Sequence, residues 1–371
     1  MKATVAVLPG DAAGVELTAQ AARVLMAVAK RFGHVLQIET GLYGSLAIDT
    51  CGTPLPSETR ALALRADALL LGGGAAEKRW EDPRLTVHPA QATLELRRTL
   101  GLYANLRPVR LFSELVHLSS LKPELVQNVD VLLVREVAGG IYFGRPKKRW
   151  QTARGKRAVD TTNYSEKEIV RVLRLAFELA RARRRRVTSV DKANVLATSK
   201  LWREIANELA SEYPDVQLEH MLVDNCAVHL MTQPAQFDVI VTENLFGYIL
   251  QDVAGALTGT HGLLSGGTLG TRRNSCGHPV GLYEPTRGTA PQTEPDKANP
   301  VAAVLTAGML LRHSLGLEEE AATVESAVAA TVRRGLRTAD MTRGEKPAAG
   351  TIAMTDAILE QFEGKEFDAG G

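Results

Sequence analysis

The chain has 371 residues, 45% of them hydrophobic, and a formal net charge of +2. That length suffices for a sizeable core and two lobes, and the near balance of charge gives no electrostatic ground for a nucleic-acid or membrane partner. Cys51, Cys226 and Cys276 are odd in number and lack C-x-x-C spacing, which argues against a disulfide framework or a thiolate zinc site and fits a reducing cytosol.

Met1 to Leu8 reads as a strand, without the apolar core and cleavage site of a signal peptide, and no apolar run reaches membrane-spanning length; a cytoplasmic protein is expected. The strand Thr4 to Leu8 turns at Pro9-Gly10-Asp11 into a helix from Val15 to Arg31, with helical spacing of Val15, Ala19, Ala22, Leu25 and Met26. Ala68 to Leu71 is a second strand, ending in Gly72-Gly73-Gly74. Further strands are expected at Val129 to Val134, Val187 to Val190 and Phe237 to Val241. Helices are expected at Ser165 to Arg184, Ser199 to Ser211, Asn244 to Leu257, Pro300 to Ser314 and Leu317 to Arg334. This alternation predicts an α/β fold with a largely parallel sheet. Gly139 to Thr162 breaks the pattern and suits a projecting hairpin arm.

Ligands of open α/β sheets collect at the carboxyl ends of strands, and ionisable residues crowd there. The strands run into Arg135-Glu136, into Asp191-Lys192-Ala193-Asn194, and into Glu243-Asn244 with Asp252 on the helix beyond. Val223-Asp224-Asn225 adds an acid, and Leu96-Arg97 and Asn105-Leu106-Arg107-Pro108 add two arginines. Arg97, Arg107 and Arg135 have the planar fork that grips carboxylates; the alternative is three surface ion pairs. Asp224 and Asp252 offer hard oxygen ligands to a divalent cation, against the plainer readings of a helix N-cap and a solvated acid. Lys192 is a candidate base if its environment lowers its pKa, and otherwise a solvated lysine. Gly72-Gly73-Gly74 suits either close backbone approach to a ligand or a tight turn; it is not the G-x-G-x-x-G fingerprint. The run Arg183 to Arg186 reads as helix C-terminal stabilisation and solvation. No H-x-x-x-H pair supports a histidine metal site.

Val7-Leu8-Pro9-Gly10-Asp11, Ala104-Asn105-Leu106-Arg107-Pro108, Val134-Arg135-Glu136, Gly140-Ile141-Tyr142-Phe143-Gly144, Val190-Asp191-Lys192-Ala193-Asn194-Val195-Leu196 and Gly288-Thr289-Ala290-Pro291 resemble, in order, the isocitrate and 3-isopropylmalate dehydrogenase family, with 3-isopropylmalate dehydrogenase nearest in character. The resemblance implies a two-lobed α/β fold. A large cofactor-binding lobe comes from residues 1–105 and 260–371, and a smaller central lobe, residues 106–259, carries the dimer interface and the arm 139–162. It implies oxidative decarboxylation of a 3-substituted malate in a homodimer, with a nicotinamide cofactor and Mg²⁺ or Mn²⁺. Arg97, Arg107 and Arg135 then hold carboxylates, with Thr93 and Leu94 beside the substrate side chain. Lys192, lent across the dimer with Asp224, takes the hydroxyl proton, and Tyr142 protonates the enol. Gly73, Gly74, Asn194, Glu284, Arg287, Gly288, Ala290, Gln292 and Asn299 fall at cofactor positions, and Asp224 and Asp252 at metal positions.

The chain also departs from the family pattern. Tyr248 stands where a metal-binding aspartate is expected, and Gln292 where an aspartate reads the ribose of NAD. Gly10-Asp11-Ala12-Ala13-Gly14 replaces G-D-G-I-G, Arg287 replaces a histidine, and Thr271 to Gly281 is an insertion. These departures predict weakened metal binding and a weakened preference for NAD, with NADP left open. Two functions compete: an active dehydrogenase, with altered metal and cofactor positions, acting on an altered substrate such as another 3-alkyl- or 3-arylmalate, and a catalytically impaired paralogue that binds a ligand or a partner subunit. The intact arginines, Tyr142, Lys192 and Asn194 favour the enzyme.

Overall fold

The computed structural model describes residues 1–11, 13–72, 85–286, 294–342 and 348–363. The chain divides into two compact units, Met1–Leu102 with Thr260–Gly371, and Tyr103–Gly259.

The first unit opens with β1 (Lys2–Leu8), buried without interruption from Val5 to Leu8, as expected of a parallel strand covered on both faces. β2 (Val35–Thr40) and β3 (Ala68–Leu71) flank it, both parallel to it. The helix Ala13–Phe32 connects β1 to β2 and buries Leu17, Ala21, Val24, Leu25 and Val28. The expected helix is therefore present, but on another face. Of the five residues whose spacing suggested it only Leu25 is buried, and Val15 and Met26 are exposed. Alanine and valine occur on both the buried and the exposed sides of this helix, so periodicity alone did not choose the side.

The second unit holds β4 (Leu102–Arg110), β5 (Asp130–Glu136), β6 (Lys148–Thr152), β7 (Gly155–Val159), β8 (Arg186–Asp191), β9 (Gln217–Leu222) and β10 (Val239–Thr242). Five of these run in the order β4-β5-β10-β8-β9, with β4 antiparallel to β5 and the other pairs parallel. The remaining two, β6 and β7, form a separate antiparallel hairpin with mostly exposed side chains, inside the stretch expected as an arm. The crossover helix Glu166–Arg181 buries Ile169, Val172, Leu173, Ala176 and Phe177, and a Ser165–Glu168 capping box starts it, satisfying amide donors the first turn leaves open.

Back in the first unit, β11 (Gly267–Arg273) and β12 (Pro279–Tyr283) form an antiparallel pair across the insertion, and β12 lies parallel to β3. Asn274 fastens the turn through Nδ2 to the carbonyls of Asp67, at 3.1 Å, and Ser314, at 2.6 Å. Parallel pairing dominates this mixed α/β architecture. Among the described residues no helix is long and apolar enough to cross a membrane.

One reading changes. The run Arg183 to Arg186 is an anchor: Arg183 donates to Asp238 at 2.9 Å and to Asp130 at 2.8 Å, and the Arg184 amide donates to Asp238 at 3.0 Å. Buried Asp238 needs these partners because a desolvated carboxylate is costly when left alone. At Gly72 the close neighbour is the chain itself. A Cβ there would lie 1.9 Å from the Pro9 carbonyl, and one on Gly14 would lie 2.7 Å from the Gly72 carbonyl.

Candidate functional site

Sheet register brings the second unit's candidates level. Thr242 of β10 lies beside Arg135 of β5 on one side and Val190 of β8 on the other. Asn105 of β4 lies opposite Arg135. Side chains two apart on a strand share a face, so Asn105, Arg107 and Arg135 present together. Arg107 is buried and donates through Nε to Asn105 Oδ1 at 3.1 Å.

Arg135 is only 5% exposed, and the helix Asn244–Ala256 is built against it. Its Nε donates to the Asn244 carbonyl at 2.8 Å, and its terminal nitrogen to Asn244 Oδ1 at 2.7 Å. Gly247 is needed for this closeness, since a Cβ there would sit 2.6 Å from Arg135 Cγ. The Tyr248 ring centroid is 4.7 Å from the guanidinium carbon, and that of Tyr142 5.8 Å. Both tyrosines are otherwise substantially exposed.

Around Arg135 the polar groups interlock. Asn244 Nδ2 donates to the Gly139 carbonyl at 2.9 Å. Fully buried Glu136 accepts from the Ala138 and Gly139 amides at 2.9 and 2.8 Å and from Arg171 at 3.2 Å. Burial raises the Glu136 carboxyl above its ordinary value, against the lowering by those amides and Arg171. Glu243 caps its helix by accepting from the Phe246 amide at 2.8 Å, and Tyr164 donates to it at 3.3 Å. Burial raises the Glu243 carboxyl too. The segment leading to Tyr142 is thereby held at Gly139 from two sides. Asn244 was visible in the sequence only as part of a polar strand end. Tyr164 and Arg171 carried no signal, because their partners are remote in the chain.

At the end of β8, buried Asp191 takes both Arg203 donors, at 2.8 and 2.9 Å, and the Ala193 amide at 2.8 Å. Lys192, next in the chain, turns outward and pairs with Asp224. The Lys192 ammonium, followed by Asp224's own backbone amide in the first helical turn, holds the Asp224 carboxyl below its ordinary value. Asp224 is not the N-cap of the helix Val223–Thr232; that position is Leu222. Asn194 is exposed, and Asp252 lies on the exposed side of its helix.

In the first unit Arg97 ends the helix Ala90–Thr99, 3.8 Å from Glu284. Its Nε is buried and has no hydrogen-bond partner among the described residues. The Thr93 hydroxyl meets that of Tyr43, and Leu94 is exposed. Asn299 is buried, with Nδ2 donating to Asp340 at 3.0 Å and Oδ1 accepting from the Val301 amide at 3.0 Å. Gly73, Gly74, Arg287, Gly288, Ala290 and Gln292 lie outside the described residues.

The family model for isocitrate/isopropylmalate dehydrogenases matches residues 4–358. The chain belongs to that family. The 3-isopropylmalate dehydrogenase of Geobacillus kaustophilus (strain HTA426) is 50% identical over 360 residues, covering 97% of this chain and 94% of its own. That of Bacillus subtilis (strain 168) is 48% identical over 365 residues, covering 98% and 97%. Among solved structures, the isocitrate dehydrogenase from Methylococcus capsulatus is 32% identical with a TM-score of 0.79, covering 97% of this chain and 99% of its own. A β-decarboxylating dehydrogenase from Thermococcus kodakarensis is 33% identical with a TM-score of 0.77, covering 98% and 96%. Membership makes the chain an oxidoreductase of the dehydrogenase class.

Among the described residues no group of three or more His, Cys, Asp or Glu side chains comes together as a metal site. The carboxylates of Asp224 and Asp252 are nonetheless the right donors for Mg²⁺ or Mn²⁺, because such ions are held by one or two carboxylates while waters and substrate oxygens complete the shell.

Proposed function

We propose that this enzyme oxidatively decarboxylates a 3-substituted malate of the 3-isopropylmalate type, using a nicotinamide cofactor and a divalent metal. The observation that carries the reading is Arg135, a nearly buried guanidinium oriented by Asn244 beside Arg107, with Tyr142 near it. Arg107 and Arg135 are the clamps for carboxylates, since a guanidinium fork matches a carboxylate in two parallel hydrogen bonds. Arg97 is the third clamp; its buried Nε lacks an acceptor among the described residues. Thr93 and Leu94 adjoin the substrate side chain.

Lys192, as its neutral amine, takes the hydroxyl proton, and Asp224 pairs with the ammonium that results. Tyr142 returns a proton to the substrate carbon after carbon dioxide departs, from a loop fixed by the Asn244–Gly139 hydrogen bond. When bound, the cofactor accepts the hydride and the metal stabilises charge on the developing ketone oxygen. Asn194, Glu284 and the segments at 73–74 and 287–299 would hold the cofactor; exposed Asn194 suits the carboxamide of a nicotinamide. Asp252 and Asp224 would hold the metal, more weakly than a set of three aspartates, because Tyr248 adds no charge. NAD is the expected cofactor by ancestry, with the preference over NADP weakened at Gln292.

A homodimer is part of the proposal, with Lys192 and Asp224 serving the other copy's site and the β6–β7 hairpin as the arm. Light scattering at micromolar concentration that finds a monomer overturns it. The activity is tested by nicotinamide absorbance with a panel of 3-substituted malates, with and without Mg²⁺ or Mn²⁺. Metal-stimulated reduction of the cofactor is expected, and none with any malate overturns the reading. The impaired-paralogue alternative has no observation in its favour: the matched relatives named above are all dehydrogenases.

A further inference from the structure

Tyr43 is buried in an apolar cluster with Leu8, Leu71, Ala92 and Leu96, and its hydroxyl meets that of Thr93. Its backbone is held as well. Tyr43 is the N-cap of the helix Gly44–Cys51, whose Ser45 and Leu46 amides donate to the buried Asp11 carboxylate at 3.3 and 2.9 Å. A phenol with its ring packed and its backbone fixed presents its oxygen at one place. Thr93 lies in the helix Ala90–Thr99, where a threonine ordinarily splits between two rotamers because its hydroxyl can bond its own backbone. Here the hydroxyl is turned to Tyr43, toward the core. The Cγ2 methyl is what Thr93 has left for a ligand. Leu94, 41% exposed, is the next residue, and Arg97 is one helical turn on, so the three are neighbours on one side of the helix.

We infer that Tyr43 is a positioning residue for substrate selection: it holds the Thr93 hydroxyl toward the core, so that the 3-substituent of the substrate meets an apolar surface. This rests on the proposed malate-type substrate, with Thr93 and Leu94 beside its side chain and Arg97 on a carboxylate. A hydroxyl placed against a methyl and a leucine loses its water and gains no partner. An alkyl substituent is therefore taken, and one of the same size that carries a hydroxyl is refused. The selection is made by a residue that does not itself touch the substrate.

The test compares kcat/KM for 3-isopropylmalate with that for 3-(1-hydroxyethyl)malate, which carries a hydroxyl where one methyl stood, using the full chain with NAD and Mn²⁺. The unaltered protein should prefer the isopropyl compound on the order of a hundredfold. Tyr43→Phe keeps the ring in its cluster and frees the Thr93 hydroxyl to turn to the substrate, and should lower that preference by about fivefold or more. Thr93→Val keeps the shape of threonine without the hydroxyl, and should leave the preference within about twofold of the unaltered value. Combining the two substitutions should restore what Tyr43→Phe alone lost, a rescue that a merely structural role for Tyr43 would not give. Thermal melts check that each variant folds, and Thr93→Val tests the turned-away hydroxyl even where Tyr43→Phe does not fold. An unchanged preference in Tyr43→Phe overturns the inference and leaves the proposed function standing. So does a collapse of 3-isopropylmalate turnover in folded Thr93→Val, which would mean that the substrate uses the hydroxyl, or a double variant as permissive as Tyr43→Phe. If the unaltered protein turns over no 3-substituted malate, the proposed function falls, and this inference with it.

Discussion

The carboxyl ends of β5 and β8 lie on either side of β10 and are built by opposite means. At β5 each named charge is buried and tied down: Glu136 by two amides and Arg171, and Arg135 by Asn244. At β8 buried Asp191 anchors the turn, but the next residue, Lys192, reaches out to a largely exposed Asp224. A desolvated charge is tolerated only when its hydrogen bonds are met and its geometry is fixed. An exposed pair is screened by water and separates easily. The contrast matches the proposed tasks, because a clamp must stay in place, whereas a lysine base must shed its own proton and its ion-pair partner before it can take up another.

The comparison breaks most visibly at the buried end. Glu136→Ala leaves Arg171 and two amides without their acceptor, and should cost on the order of 3–5 kcal/mol in urea unfolding. A loss below about 1 kcal/mol would put this network on a par with a surface pair. Arg107→Ala should weaken binding of a malate analogue by on the order of a hundredfold or more while the fold survives, measured by calorimetry. Unchanged affinity would remove Arg107 from the clamp.

Tyr248→Asp, at the rim of the same buried end, should tighten Mn²⁺ binding on the order of tenfold, since it adds a charged oxygen ligand one helical turn from Asp252. Equal or weaker Mn²⁺ binding would mean that position 248 does not face the metal.

The smallest effect belongs to the exposed pair. Lys192→Met should leave the urea unfolding midpoint essentially unchanged, because an exposed pair is screened by water. It should also let the Asp224 carboxyl titrate closer to its ordinary value, followed by carbon NMR. The sign follows from the lowered value in the folded chain. The pair's contribution is present above the ordinary carboxylate range and is lost as pH falls through the lowered value. Glu136 works the other way. Its value is raised by burial, so the folded chain binds the proton more readily and stability falls as pH rises through the window between the ordinary and raised values.

Much of this was legible from the chain alone, for local reasons. Buried parallel strands such as β1, β3 and β10 are short apolar runs, and helices such as Glu166–Arg181 announce themselves by period and cap. β2, β4, β9, β11 and β12 were not anticipated. β4 carries Asn105, Arg107, Pro108 and Arg110 among its apolar residues. β2 and β9 have partly exposed burial patterns without a continuous apolar run, and β11 and β12 include glycines that weaken any strand signal. The residue types at the strand ends, and the resemblance they carried, were enough to name Arg97, Arg107, Arg135, Tyr142, Lys192, Asp224 and Asp252 as candidates. Sequence also identified Tyr248 as a departure, because residue type and helical spacing are local properties. Tertiary structure alone decided which face of the helix Ala13–Phe32 is buried, that Arg183 and Arg184 anchor Asp238, and that Asn244, Tyr164 and Arg171 secure the clamp. Each of these depends on atoms brought together from distant parts of the chain, and hydrogen bonds, ring contacts and burial are set by that proximity rather than by composition or period.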